Sequence, residues 1–136
     1  KSSAASDVYK RQRMDTVRNT YKINDNSDLG DVHISDDVLA VISAMAALEV
    51  DGVIGMAGNI TSEIVEKLGV KKLAKGVRVD VAENSVMIDV AIVLRMNENI
   101  IRISKKVQEK IKTTVENMTG LEVANVNVNI SNVLSK

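Results

Sequence analysis

The sequence contains no cysteine, no phenylalanine and no tryptophan. Without cysteine the chain can form neither disulfides nor thiolate metal sites, which permits a reducing, cytosolic environment. The two tyrosines, Tyr9 and Tyr21, both lie near the N-terminus, so the core must be built from Val, Ile, Leu, Met and Ala. The same absence excludes, for the folded part, binding modes that stack nucleic-acid bases on aromatic platforms.

The chain also lacks an excess of either charge and lacks any long apolar run. Eighteen Lys and Arg balance eighteen Asp and Glu, so no global field attracts nucleic acid or anionic lipid. The apolar runs fall far short of the roughly 20 residues that span a bilayer. We therefore predict a soluble globular protein without a transmembrane segment. A length of 136 residues fits one domain with a modest core.

The N-terminal part is poor in apolar side chains and rich in Ser, Asn and Asp, which predicts a disordered tail over residues 1–31. Residues 7–12 resemble a translated sequencing adapter. We therefore expect residues 1–12 to be foreign to the natural protein and Met14 to be its initiator. The folded domain is predicted to span residues 32–134.

A first helix is predicted to begin after Ser35, a favourable N-cap that two acidic residues follow. Its wide apolar stripe consists of Val38, Ile42, Met45 and Leu48, with Leu39, Val41 and several alanines flanking them. Gly52 is expected to end this helix region in a left-handed conformation. A short buried strand is then predicted over residues 53–57, and a shorter helix from Asn59 to Gly69.

Alternating apolar residues predict a central hairpin with strands over residues 77–81 and 86–94. A two-residue loop at residues 83–84 sets the register. The apolar pairs under this register are Val81 with Val86, Val79 with Ile88, and Val77 with Val90. Arg78 then lies opposite Asp89 on the other face. The agreement of apolar and charged pairs favours this register over a one-residue slip.

The last third predicts a long amphipathic helix that Gly120 ends, followed directly by a strand. The helix has apolar positions at Ile100, Ile103, Val107, Ile111, Val115 and Met118. Such a helix returns along the hairpin strand, so the last strand is expected to run parallel to that strand through a right-handed crossover. The predicted fold class is α+β: a single two-layer domain, helices packed on one mixed sheet, in the order helix, strand, helix, strand, strand, helix, strand.

The sequence shows no reactive constellation. His33, the only histidine, is expected to be a surface residue, and Asp80, Glu83 and Asp89 fit ordinary strand-surface charge better than paired catalytic carboxylates. One histidine and scattered carboxylates match no metal-ligand spacing. Residues 55–58 fit the GxxG loop of RNA-binding KH domains, but the apolar residues before them indicate a strand and a turn. We predict no catalytic, cofactor-binding or metal-binding residue.

Two groups of basic residues are candidate docking positions for an acidic partner or an anionic membrane. They are Lys71, Lys72 and Lys75, and, on the outer face of the last helix, Arg102, Lys105 and Lys106. The competing interpretation is an ordinary solvated helix face, which the near-neutral charge of the domain favours. On that face Lys112 and Glu116 have the spacing of an i,i+4 pair, in the less favourable orientation.

The last strand carries an uncharged face made of Asn125, Asn127 and Asn129. Exposed strands are usually protected by Lys, Glu or Pro, and this face has none of them. Either another part of the structure covers the strand or the strand pairs with another chain. We favour self-association through these three positions.

Taken together, these segments resemble the alkaline shock protein 23 family, the envelope stress response proteins of Gram-positive bacteria, including the short YloU-like members. The resemblance covers roughly residues 32–133, and it rests on Val32–Val38, Ala47–Met56, Lys72–Val77, Val107–Ile111 and Val115–Val123. The departures are Asn59–Thr61, where relatives are often glycine-rich, and Leu94–Met96, which lacks an aromatic residue.

The resemblance implies a non-enzymatic cytoplasmic protein that forms homo-oligomers and works in cell-envelope stress. It further implies peripheral docking at the inner membrane face through a separate membrane-anchored partner. The family has no established catalytic motif, so no site residue is carried over and no cofactor is expected.

Two other function classes stay open. One is an RNA-binding module that uses the basic face of the last helix, although we expect no nucleic-acid partner. The other is a regulatory subunit of a neighbouring metabolic enzyme, in lipid or dihydroxyacetone metabolism, as the gene neighbourhoods of relatives suggest.

Overall fold

The computed structural model describes residues 20–24, 28–57 and 75–135. The elements in chain order are β1 (Thr20–Lys22), β2 (His33–Ser35), α1 (Asp36–Leu48), β3 (Val53–Met56), β4 (Val77–Ala82), β5 (Ser85–Arg95), α2 (Ile100–Thr119) and β6 (Glu122–Leu134). The two described helices pack on a mixed sheet, which confirms the predicted α+β class. The helix predicted between Asn59 and Gly69 lies outside the described residues.

β5 is the central strand of the main sheet. β6 runs parallel to it along its whole length, from Ser85 beside Glu122 to Arg95 beside Leu134. The other side of β5 is shared by two antiparallel strands, β4 along its first part and β3 along its last part. The parallel pairing predicted for the last strand is therefore confirmed.

The hairpin of β4 and β5 has the predicted register. The observed apolar partners are Val81 with Val86, Val79 with Ile88, and Val77 with Val90. Arg78 lies opposite Asp89, as predicted. The two-residue turn at Glu83 and Asn84 contains a residue of positive φ, since Glu83 has φ 56°. Side-chain alternation was sufficient to fix this register because a one-residue slip would turn every valine of β4 to the other face.

The core lies between the sheet and the two described helices. β5 contributes alternate residues that are buried, namely Val86, Ile88, Val90, Ile92 and Leu94. Facing them is the buried stripe of α2, namely Ile103, Val107, Ile111 and Val115. The four interior turns of α2 therefore follow the predicted stripe, but its two ends do not. Ile100 is 44% and Met118 is 63% exposed, and at the C-terminal end the buried position is Thr119, one residue after Met118.

The buried face of α1 is centred on the flanking residues of the predicted stripe, while Ile42 and Leu48 are only partly buried. Val38 and Met45 of the predicted stripe are each 46% exposed. The buried residues are mostly small, namely Leu39, Ala40, Ser43, Ala44, Ala46 and Ala47. Small side chains let the backbone of α1 lie close to its neighbours, and the buried Ser43 hydroxyl is satisfied by donating to the carbonyl of Leu39 at 2.8 Å. Ranking residues by hydrophobicity misses a face of this kind.

Ser35 and Gly120 cap the helices as predicted, whereas α1 ends four residues before Gly52. The Ser35 hydroxyl accepts a hydrogen bond from the Val38 N–H at 3.3 Å at the start of α1. α1 ends at Leu48 with Glu49 as its cap, and Gly52 follows with the predicted positive φ, 103°. Gly120 caps α2 with φ 76°, so the chain turns directly from α2 into β6.

The structure differs from the predicted disordered tail at residues 20–24. β1 pairs antiparallel with β2, with Tyr21 opposite Ile34. Asn24 closes the connection, since its side chain accepts from the Val32 N–H at 2.7 Å and donates to the Gly30 carbonyl. Tyr21 packs partly buried against the core. Its aromatic side chain supplies the apolar area that a count of Ser, Asn and Asp does not reveal.

Candidate functional site

The acidic and histidine side chains weighed for catalysis do not form a cluster. His33 is exposed on β2, and Asp80 and Glu83 are exposed on the hairpin. Asp89 accepts a hydrogen bond of 2.7 Å from the Asn127 amide on the neighbouring strand. Within residues 20–24, 28–57 and 75–135, no three potential metal ligands of the His, Cys, Asp or Glu type come together.

The glycine segment considered for RNA binding, residues 55–58, forms the end of a strand in its described part. Gly55 and Met56 are the last two residues of β3 and are buried. Gly55 lies opposite Val93 of β5, and the Ala57 N–H continues the ladder by donating to the Ala91 carbonyl at 2.9 Å. The strand interpretation of this segment is confirmed. Gly58 lies outside the described residues.

The basic residues predicted to dock a partner are distributed over separate elements. Arg102, Lys105 and Lys106 are exposed on α2, and none of them forms an ion pair with another described residue. Lys75 is exposed just before β4, on the opposite side of β5 from β6. Lys71 and Lys72 lie outside the described residues. Of the two predicted docking groups, the one on α2 is therefore the group whose three members are all described.

Acidic residues accompany these cations along one side of α2. A shallow cleft of about 370 Å³ lies between the end of α1 and the middle of α2. It is lined by Val50, Asp51, Lys106, Glu109, Lys110 and Thr113. Lys110 is paired with Glu49 at 3.3 Å. The cleft is mixed in charge, and of its two lysines only Lys106 has no ion pair among the described residues.

An arginine fixes the connection between β5 and α2. The Arg95 Nε donates to Glu98 Oε2 at 2.9 Å, and its Nη2 lies 3.4 Å from Asp51 Oδ1. The bond to Glu98 and the nearby carboxylates raise the pKa of Arg95 above its ordinary value. Its backbone N–H donates to the Gly52 carbonyl at 2.9 Å. This group holds the two helix ends together and has a structural role.

β6 presents an uncharged surface on the side of the sheet away from the helices. Asn125, Asn127 and Asn129 are exposed and lie beside alternate residues of β5, namely Met87, Asp89 and Ala91. No charged residue occurs between Val123 and Ser135. The three asparagines singled out from the sequence therefore share one face, as their alternation predicts.

Side chains of α2 cover the first part of the free edge of β6. Gln108 donates to the Val126 carbonyl at 2.9 Å, and Lys112 donates to the Val123 carbonyl at 3.2 Å. Glu116 accepts the Val123 N–H at 3.0 Å and pairs with Lys112 at 2.8 Å. The Lys112 ammonium, and next the Val123 N–H, lower the pKa of Glu116 below its ordinary value.

This edge clamp, formed by Gln108, Lys112 and Glu116, was not predicted. The sequence signal was present, because residues at i, i+4 and i+8 share one helix face. The sequence indicates the ion pair of Lys112 and Glu116, but not that both side chains bind the backbone of β6. Beyond Val126, no described strand pairs with the free edge of β6.

The sequence profile of the alkaline shock protein 23 family, described as having a cell envelope-related function, matches residues 24–135. The chain belongs to this family. It is 39% identical to YqhY of Bacillus subtilis (strain 168) over 107 residues, which cover 79% of each chain. It is 31% identical to YloU of the same strain over 106 residues, or 76% of this chain and 88% of YloU. The resemblance inferred from the sequence is thus confirmed, and no solved structure gives a significant match.

More distant relatives in the alkaline shock protein 23 family carry a functional name. A stress response regulator gls24 homolog of Streptococcus pyogenes serotype M3 is 27% identical over 121 residues, which cover 88% of this chain and 68% of that protein. The family description and this name together support a role in the envelope stress response. Neither α1 nor α2 has the length and apolar character of a membrane-crossing helix.

Proposed function

We propose that this member of the alkaline shock protein 23 family is a non-enzymatic cytoplasmic scaffold of the envelope stress response that self-associates through β6. The observation that carries the proposal is the strand itself. β6 is thirteen residues long, lies at the side of the sheet and carries no charge after Glu122. A long edge strand whose open part has no Lys, Glu or Pro is a template for a further chain. The stress-regulator relatives supply the biological setting.

Size-exclusion chromatography with light scattering tests self-association directly. The wild-type protein is expected to be larger than a monomer and to dissociate on dilution. The triple variant Asn125→Lys, Asn127→Lys and Asn129→Lys is expected to be monomeric, because it places three like charges on the strand of every copy. All three positions are exposed, so circular dichroism should show an unchanged fold. A wild-type protein that stays monomeric at high concentration would contradict the proposal.

The second part of the proposal is docking at the inner membrane face through a membrane-anchored protein. Arg102, Lys105 and Lys106 are its described contact residues, because they are exposed and without an acidic partner among the described residues. Lys71, Lys72 and Lys75 remain candidates from the sequence. Three unpaired cations on neighbouring turns suit an acidic segment of a partner.

A pull-down from the source cell, followed by reconstitution with the purified partner, tests this docking. Lys105→Ala with Lys106→Ala should weaken capture of a protein that carries a membrane segment. Lys22→Ala is the control, since it removes a positive charge from β1 and leaves α2 intact. Equal capture by all forms would exclude the α2 surface. Stable recovery of a soluble enzyme would support the regulatory-subunit alternative instead.

RNA binding is the competing use of the same unpaired cations. Such binding would depend steeply on salt, because phosphate contacts release counterions. A gel-shift assay at low salt separates the two functions. Absence of RNA retardation there would eliminate this alternative.

A further inference from the structure

We infer that two copies of this protein pair edge to edge through antiparallel β6 strands, with a two-fold axis at Asn129. The inference rests on the self-association proposed above and names its contact surface. That surface is the outer edge of β6, formed by backbone groups of Val128 and Ile130, and not the face that carries the asparagine side chains.

The direction of the backbone groups follows from the edge clamp. Both the N–H and the carbonyl of Val123 bind side chains of α2, so they point away from β5. The Val126 carbonyl does the same. Strand residues whose side chains lie on one face direct their backbone groups to the same edge. Val128 and Ile130 share the helix-side face with Val126, so their N–H and carbonyl groups point to the free edge.

The usable length of this edge is limited at both ends. Gln108 and the pair of Lys112 and Glu116 occupy the edge as far as Val126. At the other end the register with β5 shifts between Ile130 and Asn132, so Ser131 is an extra residue in the strand. The regular, open stretch is therefore residues 127–130, with two outward-facing residues, Val128 and Ile130.

These two outward residues define the pairing. In an antiparallel pair of identical strands, Val128 of each copy lies opposite Ile130 of the other, and the two pairs exchange four backbone hydrogen bonds. The residue between them, Asn129, then lies opposite itself. Its amide side chains meet side by side on the outer face, where they can bond to each other.

Apolar side chains on the helix side of β6 support the same pairing. Val126, Val128 and Ile130 pack against the core but are only half-buried. Ile101, seven residues before Gln108, lies on the same face of α2 and is 67% exposed. A strand added beside β6 covers this row with the equivalent row of the second copy. The area gained is apolar, which favours association.

A second copy is the occupant that fits this edge. A two-fold interface brings the same patch of both chains together, so any charge near the axis meets its own kind. Between Val123 and Ser135 the strand itself carries no charge to repel. An acidic or basic peptide would find no opposite charge on the strand. The uncharged edge therefore matches an identical edge better than it matches a charged segment.

Two single substitutions on one face separate edge pairing from other modes. Asn129→Lys places two ammonium groups side by side at the axis and should raise the dimer dissociation constant at least about tenfold. Asn125→Lys adds the same charge on the same face, but the two copies of residue 125 lie roughly 25 Å apart across the pair. Its effect should stay under about threefold. Analytical ultracentrifugation measures both constants, and thermal unfolding checks that both variants fold.

Single cysteines give a direct geometric readout, because the natural chain has none. Opposite residues of an antiparallel pair have Cα atoms about 4.5–5.5 Å apart, within the range that a disulfide bridges. Asn129→Cys should therefore form a covalent dimer under mild oxidation, whereas Asn125→Cys should not.

The outcomes distinguish this inference from the scaffold proposal. A monomeric wild-type protein overturns both. Assembly that the two lysine variants weaken equally, or cross-linking of equal yield at positions 125 and 129, overturns the edge pairing and leaves self-association standing. Stacked asparagine faces would give that second pattern.

Discussion

β4 and β6 flank the same central strand, but they differ in how they are protected against pairing with another chain. β4 is six residues long, and its exposed positions include Arg78 and Asp80. β6 is thirteen residues long and has no charged residue after Glu122. Charges on the outer strand of a sheet discourage the addition of another chain. β4 carries such charges itself, whereas β6 depends on side chains from α2 that reach only as far as Val126.

The difference teaches that an edge can be closed by tertiary contacts at one end and stay open at the other. On both flanks the inward side chains are valine or isoleucine that pack against one core. The flanks therefore share their stabilisation and differ in what they offer to a second chain. Substitutions in the shared core should destabilise both flanks. Substitutions at the glycine before a flanking strand, or in the edge clamp of β6, should affect only that strand.

The largest loss of stability is expected at a residue of β5 that lies between the two flanks. Ile88 is fully buried and lies opposite Val79 of β4 and Val126 of β6. Ile88→Ala should lower the free energy of unfolding by about 3 kcal/mol, because the cavity removes contacts with both flanks. Urea unfolding followed by circular dichroism should still show one transition.

The neighbouring Met87→Ala is the matched control for this change. Met87 is exposed on the opposite face of the same strand. Met87→Ala should therefore lower the free energy of unfolding by less than about 1 kcal/mol. Two separate transitions in the Ile88 variant would break the comparison, since they would mean that the flanks unfold independently.

An intermediate effect is expected at the two glycines that lead into the flanking strands. Gly120 has φ 76° and free space around a potential Cβ. Gly120→Ala should therefore lower the free energy of unfolding by about 1 kcal/mol, because of the left-handed backbone alone. Gly120→Asn should lower it less, since Asn tolerates this conformation. At Gly76 a Cβ would lie 3.3 Å from the Ala91 carbonyl oxygen and the Met56 Cε. Gly76→Asn should therefore be at least as harmful as Gly76→Ala. Urea unfolding of the four variants ranks them, and the same order at both sites would contradict this distinction.

The smallest effect is expected at the edge clamp and depends on pH. The Lys112 side chain and the Val123 N–H lower the pKa of Glu116 below its ordinary value of 4.5. The folded state is therefore stabilised above that ordinary value, and the contribution disappears as the pH falls through the lowered pKa. Glu116→Gln should flatten the acid limb of the melting temperature below roughly pH 5 and leave the slope near neutral pH unchanged. An acid limb as steep as that of the wild-type protein would show that ionisation of Glu116 does not stabilise the fold.

The sequence predicted those features that depend on residues close in the chain. The hairpin register followed from alternating valines, and the interior of α2 followed from isoleucine and valine at helical spacing. The prediction was wrong in part for α1, where the flanking Leu39 and alanines face the core and Val38 and Met45 of the predicted stripe are exposed. Both faces of α1 contain apolar residues, so its rotation is set by how closely its neighbours approach and not by its own pattern.

For the candidate site, the sequence by itself determined that β6 is long, uncharged and asparagine-bearing on one face, because alternation along a strand is local. Only the tertiary structure decided which edge of β6 is free and how much of it remains open. That outcome depends on the parallel pairing with β5 and on Gln108, Lys112 and Glu116 reaching across from α2. These contacts join separate elements, and they form only when the long helix is held against the sheet by a core that both flanks share.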